Sequence, residues 1–424
     1  MLHRSSRALE TSKRCCQSIN IRERENRVKR AWGRRIARLG IAWVVFVLAA
    51  VAWAPPASAQ TSSGPQAVFF SATNHTVDNQ YGFLNYWRAN GQLLRFGYPI
   101  TGVFEEDGRP VQYFERARFE YHADTGVLLG LLGREATGGQ VFPVGPAVPG
   151  RLFPETGYTV YGKFLQYWRQ WGGLPVFGYP ISESFELMRE DGSLVAAQYF
   201  ERARIEYHPA NVHPFYEERR QANGTTMLAL HEMQLGQIGK QVAIARGIDL
   251  SPGTRPQGVP EWSPALWPQR IEVDISSQTL TAYEGDIVVM SSGVATGRDG
   301  FNTVTGTFRA NTKLLYDDMT GNLQGEEYDV RKVPYVMYFY LGFAIHGTYW
   351  HDDFGTGVRR SHGCVNLPLD KAEWLWHWAQ PAWSADRATR ISAPSTPSSR
   401  AEADLQPLEG LAVTGTGPTV VVRP

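Results

Sequence analysis

The chain has 424 residues, 43% of them hydrophobic and 20% charged, with a formal net charge of +1. That is apolar enough for packed cores and excludes a chain that is disordered throughout. The near-neutral total conceals an uneven distribution. Residues 1–59 hold twelve Lys or Arg against Glu10, Glu23 and Glu25, and the remainder holds thirty basic and thirty-eight acidic residues, a net of about −8, so nothing in it invites nucleic acid.

The basic stretch runs into an apolar segment, IAWVVFVLAAVAWA (41–54), and then into PPASA, which puts Ala57 and Ala59 at the −3 and −1 positions of a cut before Gln60. A basic region, a short apolar region and an A-x-A end read as a secretory signal over 1–59. The alternative is an uncleaved anchor, but fourteen apolar residues fall short of the roughly 20 needed to span a bilayer. Membrane contact is expected through this segment only, with the rest exported to the cell envelope, periplasm or exterior. Removing it also removes Cys15 and Cys16. Cys364 then stands alone, with no disulfide to form inside the chain.

Next comes an internal similarity. LNYWRANGQLLRFGYPITGVFEEDGRPVQYFERARFEYH (84–122) aligns with LQYWRQWGGLPVFGYPISESFELMREDGSLVAAQYFERARIEYH (165–208). Two copies imply two similar small α+β units, here 60–145 and 146–247. In each, YWR closes a short helix, FGYPI opens a turn and DG joins two strands as a hairpin. QYFERAR alternates bulky with polar residues and reads as one strand, with Tyr113, Glu115 and Ala117 on one face and Phe114, Arg116 and Arg118 on the other. Tyr86, Trp87, Phe96 and Tyr98, with Tyr167, Trp168, Phe177 and Tyr179, read first as core. The competing reading is a sugar- or wall-binding surface that uses these rings with Arg116 or Arg202. The units resemble the short Gly-Phe-Pro-type repeats appended to bacterial cell-surface proteins, which implies a cell-wall or surface partner.

From 227 to 246, Leu228, Leu230, Met233, Leu235, Ile238 and Val242 fall near one stripe and predict an amphipathic helix. The segment 248–269 is proline-rich and reads as a linker. A β-rich domain is expected over 270–424. Its first residues alternate at Ile271, Val273 and Ile275, then through Leu280, Ala282 and Tyr283, then from Ile287 to Met290, which is a three-strand meander.

Within this domain stands HGTYWHDDFGTGVRRSHGCVNL (346–367). A thiol becomes a nucleophile when an imidazole takes its proton, and the imidazole must itself be oriented by a third group. Cys364 is the candidate nucleophile, and the residues alone leave His346 and His362 both open as the base. A buried inert thiol and a metal site drawn from His346, His351, His362, Cys364 and His377 are the competing readings. The spacing matches no common metal pattern.

His346, fourteen intervening residues and then Ser361-His362-Gly363-Cys364-Val365-Asn366 is similar to the signature of the L,D-transpeptidase catalytic domain of the YkuD type, a histidine followed by Ser/Thr-His-Gly-Cys-x-Asn/Arg. The resemblance covers about 270–380 and includes the meander, GVATG (293–297) and Thr305-Gly306-Thr307-Phe308. Val304 departs from it, standing where the family has proline.

The resemblance implies Cys364 as nucleophile, His346 as base and the Gly347 carbonyl as its orienting partner. It implies that His362 and Gly363 line the site, that backbone N–H groups of 362–364 form an oxyanion hole, and that Ser361 and Asn366 brace the loop. Arg360 is a candidate partner for a substrate carboxylate, and Tyr338, with Tyr335 and Tyr340, a candidate cleft wall. The implied reaction needs no metal or other cofactor. It forms a cysteinyl thioester with a peptidoglycan stem peptide, releases D-alanine and passes the acyl group to an amine of another stem, a 3-3 cross-link. The alternatives are an L,D-carboxypeptidase using water, and a wall-binding protein whose catalytic domain is idle. After a helix over 369–380, a Pro/Ser-rich insertion is expected near 385–410 and a closing strand near 417–422.

Overall fold

The computed structural model describes residues 64–189, 192–212, 228–384, 387, 389–390 and 411–424. The expected signal (1–59) and the Pro/Ser-rich stretch 392–407 lie outside them. Among the described residues no helix is long and apolar enough to cross a membrane. The class is mostly β, with small α+β units ahead of a β-rich C-terminal domain.

The first unit opens with a hairpin, β1 (Ala67–Phe70) and β2 (His75–Asp78), followed by helices α1 (Phe83–Ala89) and α2 (Gln92–Phe96). A four-stranded antiparallel meander follows, β3 (Phe104–Glu106), β4 (Arg109–Tyr113), β5 (Arg118–His122) and β6 (Gly126–Leu129), and then α3 (Leu132–Ala136). The second unit has the same order: β7 (Arg151–Leu152), β8 (Thr159–Val160), α4 (Gly162–Gln170), α5 (Gly173–Phe177), the meander β9 (Phe185–Met188), β10 (Leu194–Tyr199), β11 (Arg204–Tyr207) and β12 (Met233–Leu235), and α6 (Ile238–Ala245). Gly91 at φ 101° and Gly172 at φ 104° make the corner between each helix pair, a conformation that only glycine adopts without strain.

Two sequence expectations fail here. QYFERAR is not one strand: the Phe114 N–H donates to the Ala117 oxygen at 2.8 Å, so Phe114–Ala117 is the turn that separates β4 from β5. The turn is held from outside, since the Glu115 carboxylate accepts the Tyr98 N–H at 3.1 Å and Arg116 donates to the Leu93 carbonyl at 3.0 Å. Nor is 227–246 one helix. Met233 and Leu235 pair with Tyr207 and Ile205 as the fourth strand of a sheet, and α6 starts only at Ile238. Strand pairing outweighed the helical stripe, and the Gly236 N–H, bonded to the Arg204 oxygen at 2.8 Å, marks the break.

Trp87, Phe96, Trp168 and Phe177 are buried, with Tyr167 beside them. Tyr86, Tyr98 and Tyr179 pack against the same cores. These rings are core, and Arg116 and Arg202 donate to main-chain carbonyls, so they do not form an open sugar-binding face.

The units exchange contacts reciprocally. In α3 the Gly133 and Arg134 N–H groups both donate to the Glu201 oxygen, and a Cβ on Gly133 would meet the Phe200 oxygen at 1.8 Å. In α6 the Lys240 N–H donates to the Glu115 oxygen, and a Cβ on Gly239 would meet the Phe114 oxygen at 2.1 Å. Each unit's last helix thus sits on the other unit's hairpin turn.

The C-terminal domain holds two sheets. One has the order β15-β14-β13-β23-β16, from β13 (Gln269–Asp274), β14 (Thr279–Glu284), β15 (Ile287–Gly293), β16 (Gly306–Arg309) and β23 (Thr419–Arg423). The expected meander is present, with Ile271, Val273, Leu280 and Ala282 fully buried, and the final strand runs parallel to β13. The other has the order β20-β19-β18-β17-β22-β21, from β17 (Thr312–Leu323), β18 (Glu326–Tyr340), β19 (Phe343–Gly347), β20 (Val365–Leu367), β21 (Thr389–Arg390) and β22 (Leu411–Thr414). Helix α7 (Leu369–Trp378) follows β20 and buries Leu369, Ala372, Leu375 and Trp376.

The segment 248–269 is packed, not free. The Trp262 N–H donates to the Phe69 oxygen at 2.8 Å, and its ring stacks on Phe70 at 5.8 Å. Arg88 of α1 forms an ion pair with Glu284 of β14 at 3.0 Å, their side chains 2% and 1% exposed, and its guanidinium lies 3.7 Å from the Trp267 ring centroid. Glu284 also accepts from Gln92 and Trp378, which satisfies a buried charge that would otherwise be costly.

Candidate active site

His346 and Cys364 are brought together by a parallel strand pair. Strand β19 runs beside β20 with His346 opposite Asn366, and Cys364, two residues before Asn366, falls on the same face. His346 is buried, and its Nδ1 lies 3.0 Å from the Gly347 oxygen. A carbonyl only accepts, so Nδ1 carries the proton and Nε2 is the basic nitrogen. Burial pulls His346 down to about 4, against the bond to Gly347, and nearby His351 adds to the lowering. The ring is neutral at pH 7.

Cys364 is half-buried. Its Sγ lies 3.8 Å from the Gly342 oxygen. Burial pushes the thiol up to about 11; the Ala344 N–H bond to sulfur opposes this, and the Asp317 charge adds to it. Tyr338, Trp350 and Ala344 pack in the cluster against which Cys364 rests. At rest the pair is therefore a neutral thiol and a neutral imidazole with no hydrogen bond between them.

The motif loop is braced from within. Ser361 Oγ accepts the Gly363 N–H at 3.0 Å and donates to the Cys364 oxygen at 2.5 Å. Gly363 sits at φ 121°, and a Cβ there would meet the Phe343 ring at 2.6 Å, so both conformation and space require glycine. Because the Gly363 N–H is engaged by Ser361, it is not a free donor for an oxyanion. The Asn366 amide lies 3.0 Å from Nε2 of His351, which ties β20 to the segment after β19.

His362 points to the rim. Its ring stacks on Tyr328 at 5.1 Å and meets Phe301 edge-on at 4.8 Å. Its Nε2 lies 3.0 Å from Glu326 Oε1, and Glu326 also pairs with Arg298. Arg360 is held by Asp353, with Nε 2.7 Å from Oδ2, on the loop between the two strands. Among the three tyrosines, Tyr335 is in the core, Tyr340 is 41% exposed, and Tyr338 is half-buried on the Cys364 face. Among the described residues no three His, Cys, Asp or Glu side chains gather as a metal site.

Sequence reasoning missed Tyr328, Phe301, Glu326, Arg298 and Trp350 around the cleft, and Asp317, whose Oδ2 accepts the Tyr338 O–H at 2.5 Å. The available signal for Asp317 was an acidic pair interrupting the apolar strand TKLLYDDM. The rest carried none: Tyr328 and Glu326 on β18, and Arg298 and Phe301 between β15 and β16, meet His362 only in three dimensions, and Trp350 packs on the His346 ring.

Residues 268–422 match the family model of the L,D-transpeptidase catalytic domain. No match is found among curated proteins. Solved structures similar to the chain include an L,D-transpeptidase from Mycobacterium smegmatis, 20% identical over 39% of this chain and 61% of that one, with a TM-score of 0.27. They also include L,D-transpeptidase 3 from Mycobacterium tuberculosis in complex with a faropenem-derived adduct, 17% identical over 39% and 62%, TM-score 0.27. A third is the catalytic domain of the E. faecium L,D-transpeptidase, 21% identical over 38% and 99%, TM-score 0.27. The match thus spans about three-fifths of the mycobacterial proteins. Residues 268–422 of this chain are a YkuD-type L,D-transpeptidase catalytic domain.

Proposed function

We propose that the protein is an exported cysteine acyltransferase that joins two peptidoglycan stem peptides through their third residues. The observation that carries this reading is the pairing of His346 with Asn366 across β19 and β20, which sets a basic Nε2 and the Cys364 thiol on one face. Cys364 Sγ attacks the carbonyl carbon that precedes D-alanine as its proton passes to His346 Nε2. The developing oxyanion is stabilised by main-chain N–H groups of the motif loop, the Gly363 N–H excepted. His346 then gives that proton to the leaving amine, and D-alanine departs from a thioester. An amine of the second stem attacks the thioester carbon and loses a proton to His346, which returns it to sulfur.

The neutral resting pair fits this sequence, since general-base transfer needs a free imidazole nitrogen and not a preformed thiolate. Cys364 turns from Gly342 toward Nε2 as substrate enters. Export rests on the N-terminal sequence. Docking on the wall falls to the two N-terminal units through a surface other than their buried aromatic rings.

The test is muropeptide mass spectrometry of cell walls incubated with the purified protein. Cross-links between third residues are expected. Trimmed tripeptide stems without cross-links would instead identify a carboxypeptidase, and unchanged walls together with no acyl-enzyme would leave a wall-binding protein.

A further inference from the structure

The β17–β18 hairpin carries an acid, Asp317, that pairs with no cation among the described residues. The residues facing each other across the sheet form one row, in which Thr312 pairs with Tyr338 and Tyr338 with Ala344. Because Ile345 pairs with Val365, the row continues to Cys364. Tyr338 therefore stands two strands from the thiol on its own face. Irregular pairing between Asp317 and Met319 and a positive φ of 57° at Tyr335 turn Asp317 onto that face. There its Oδ2 accepts the Tyr338 O–H at 2.5 Å.

Asp317 is half-buried and makes no ion pair with a described residue. Arg331, the cation on the facing strand, is taken by Asp318 and Asp329, and Lys332 sends its N–H to Asp318. The groups that face Asp317 are Tyr338, Asp318 and Cys364, none of them cationic. Burial raises its carboxyl above the usual range, against the bond from Tyr338. A carboxylate kept without a counter-ion beside a candidate nucleophile is a site that a ligand cation completes.

We infer that Asp317, positioned by the Tyr338 hydroxyl, is a specificity-determining residue that receives the side-chain ammonium of a diamino acid at the position bearing the reacting carbonyl. The inference rests on the proposed function and names the residue that selects the donor's side chain. Two strand spacings, roughly 10 Å, separate the Tyr338 and Cys364 backbones, and the flexible four-carbon stem of a lysine-type side chain covers that gap. No proton transfer or bond change is asked of Asp317.

The experiment compares two stem tetrapeptides ending in D-alanine that differ only at the third residue, L-lysine in one and L-norleucine in the other. D-alanine release by the purified protein is measured. A charge-assisted hydrogen bond predicts a preference for lysine of about ten- to hundred-fold in kcat/KM. Asp317→Asn should bring the ratio near one, Asp317→Glu should restore part of it, and Tyr338→Phe should lower it without abolishing it. If Asp317→Asn does not fold, the wild-type ratio and Tyr338→Phe decide. Equal wild-type rates on the two stems overturn the ammonium assignment, and a preference that survives in Asp317→Asn overturns the residue assignment. Release from neither stem, with no acyl-enzyme, overturns the proposed function and this inference with it.

Discussion

The Cys364 thiol faces the Gly342 carbonyl oxygen at 3.8 Å and makes no hydrogen bond to the His346 imidazole. The candidate nucleophile and base are on one face of one strand pair, yet the resting sulfur is bonded to the edge of β19. Its acidity is set there by burial and not by an imidazolium.

Alkylation by iodoacetamide should therefore accelerate as pH rises toward about 11, with no plateau near 7. His346→Ala should leave that profile nearly unmoved while slowing acylation by a carbapenem about 10²-fold or more, the contribution typical of a general base. A neutral-pH plateau that disappears in His346→Ala would reveal a preformed ion pair instead.

Cys364→Ser should gain no mass on carbapenem exposure and release no D-alanine, because an alcohol is far less acidic than a thiol and a neutral imidazole activates it poorly. Intact-mass measurement decides this. A serine variant that is acylated at the wild-type rate places the nucleophile elsewhere.

Acid should destabilise the protein through His346. Its folded value lies near 4 against about 6.5 unfolded, so between those pH values the unfolded chain holds a proton that the folded one lacks. The stabilisation is complete above pH 6.5 and is lost as pH falls toward 4, by about 3 kcal/mol. Urea midpoints across that window should shift less in His346→Gln than in the wild type.

Arg88→Ala should strand the Glu284 carboxylate and lower stability by about 3–5 kcal/mol, read from urea denaturation. Arg88→Ala combined with Glu284→Gln should recover part of the loss. A wild-type midpoint in the single variant would mean that water replaces the guanidinium. The same contact implies that a piece limited to residues 260–424 loses stability, since it leaves the buried Glu284 without Arg88 and Gln92.

Sheet structure was legible wherever one face is dry. Ile271, Val273, Leu280 and Ala282 alternate and are all fully buried, so a period of two described β13 and β14 correctly. The motif loop was legible because its residues are contiguous, Ser361 serving both Gly363 and Cys364 within four positions. Period failed at Phe114–Ala117, where an alternating run is a turn pinned by Tyr98 and Phe96. It failed again at Met233–Leu235, where a helical stripe pairs as a strand. Glu284 lies 196 residues from Arg88, and Asp317 reaches the Cys364 face only because its strand is irregular. The first relation leaves no local trace, and the second leaves only the acidic pair in TKLLYDDM.

The exchanged helices of the two N-terminal units carry a consequence for how this architecture grows. Tandem arrays lengthen because each module leaves a surface for the next, as solenoids do. Here Gly133 of one unit occupies the Phe200–Glu201 turn of the other, and Gly239 occupies Phe114–Glu115 in return, so both acceptor turns are filled. The arrangement is self-closing, like a two-fold dimer written into one polypeptide. Deleting either unit would leave an uncapped turn and an undocked helix. The two units therefore stand or fall as a pair, each turn being capped by the other unit's last helix.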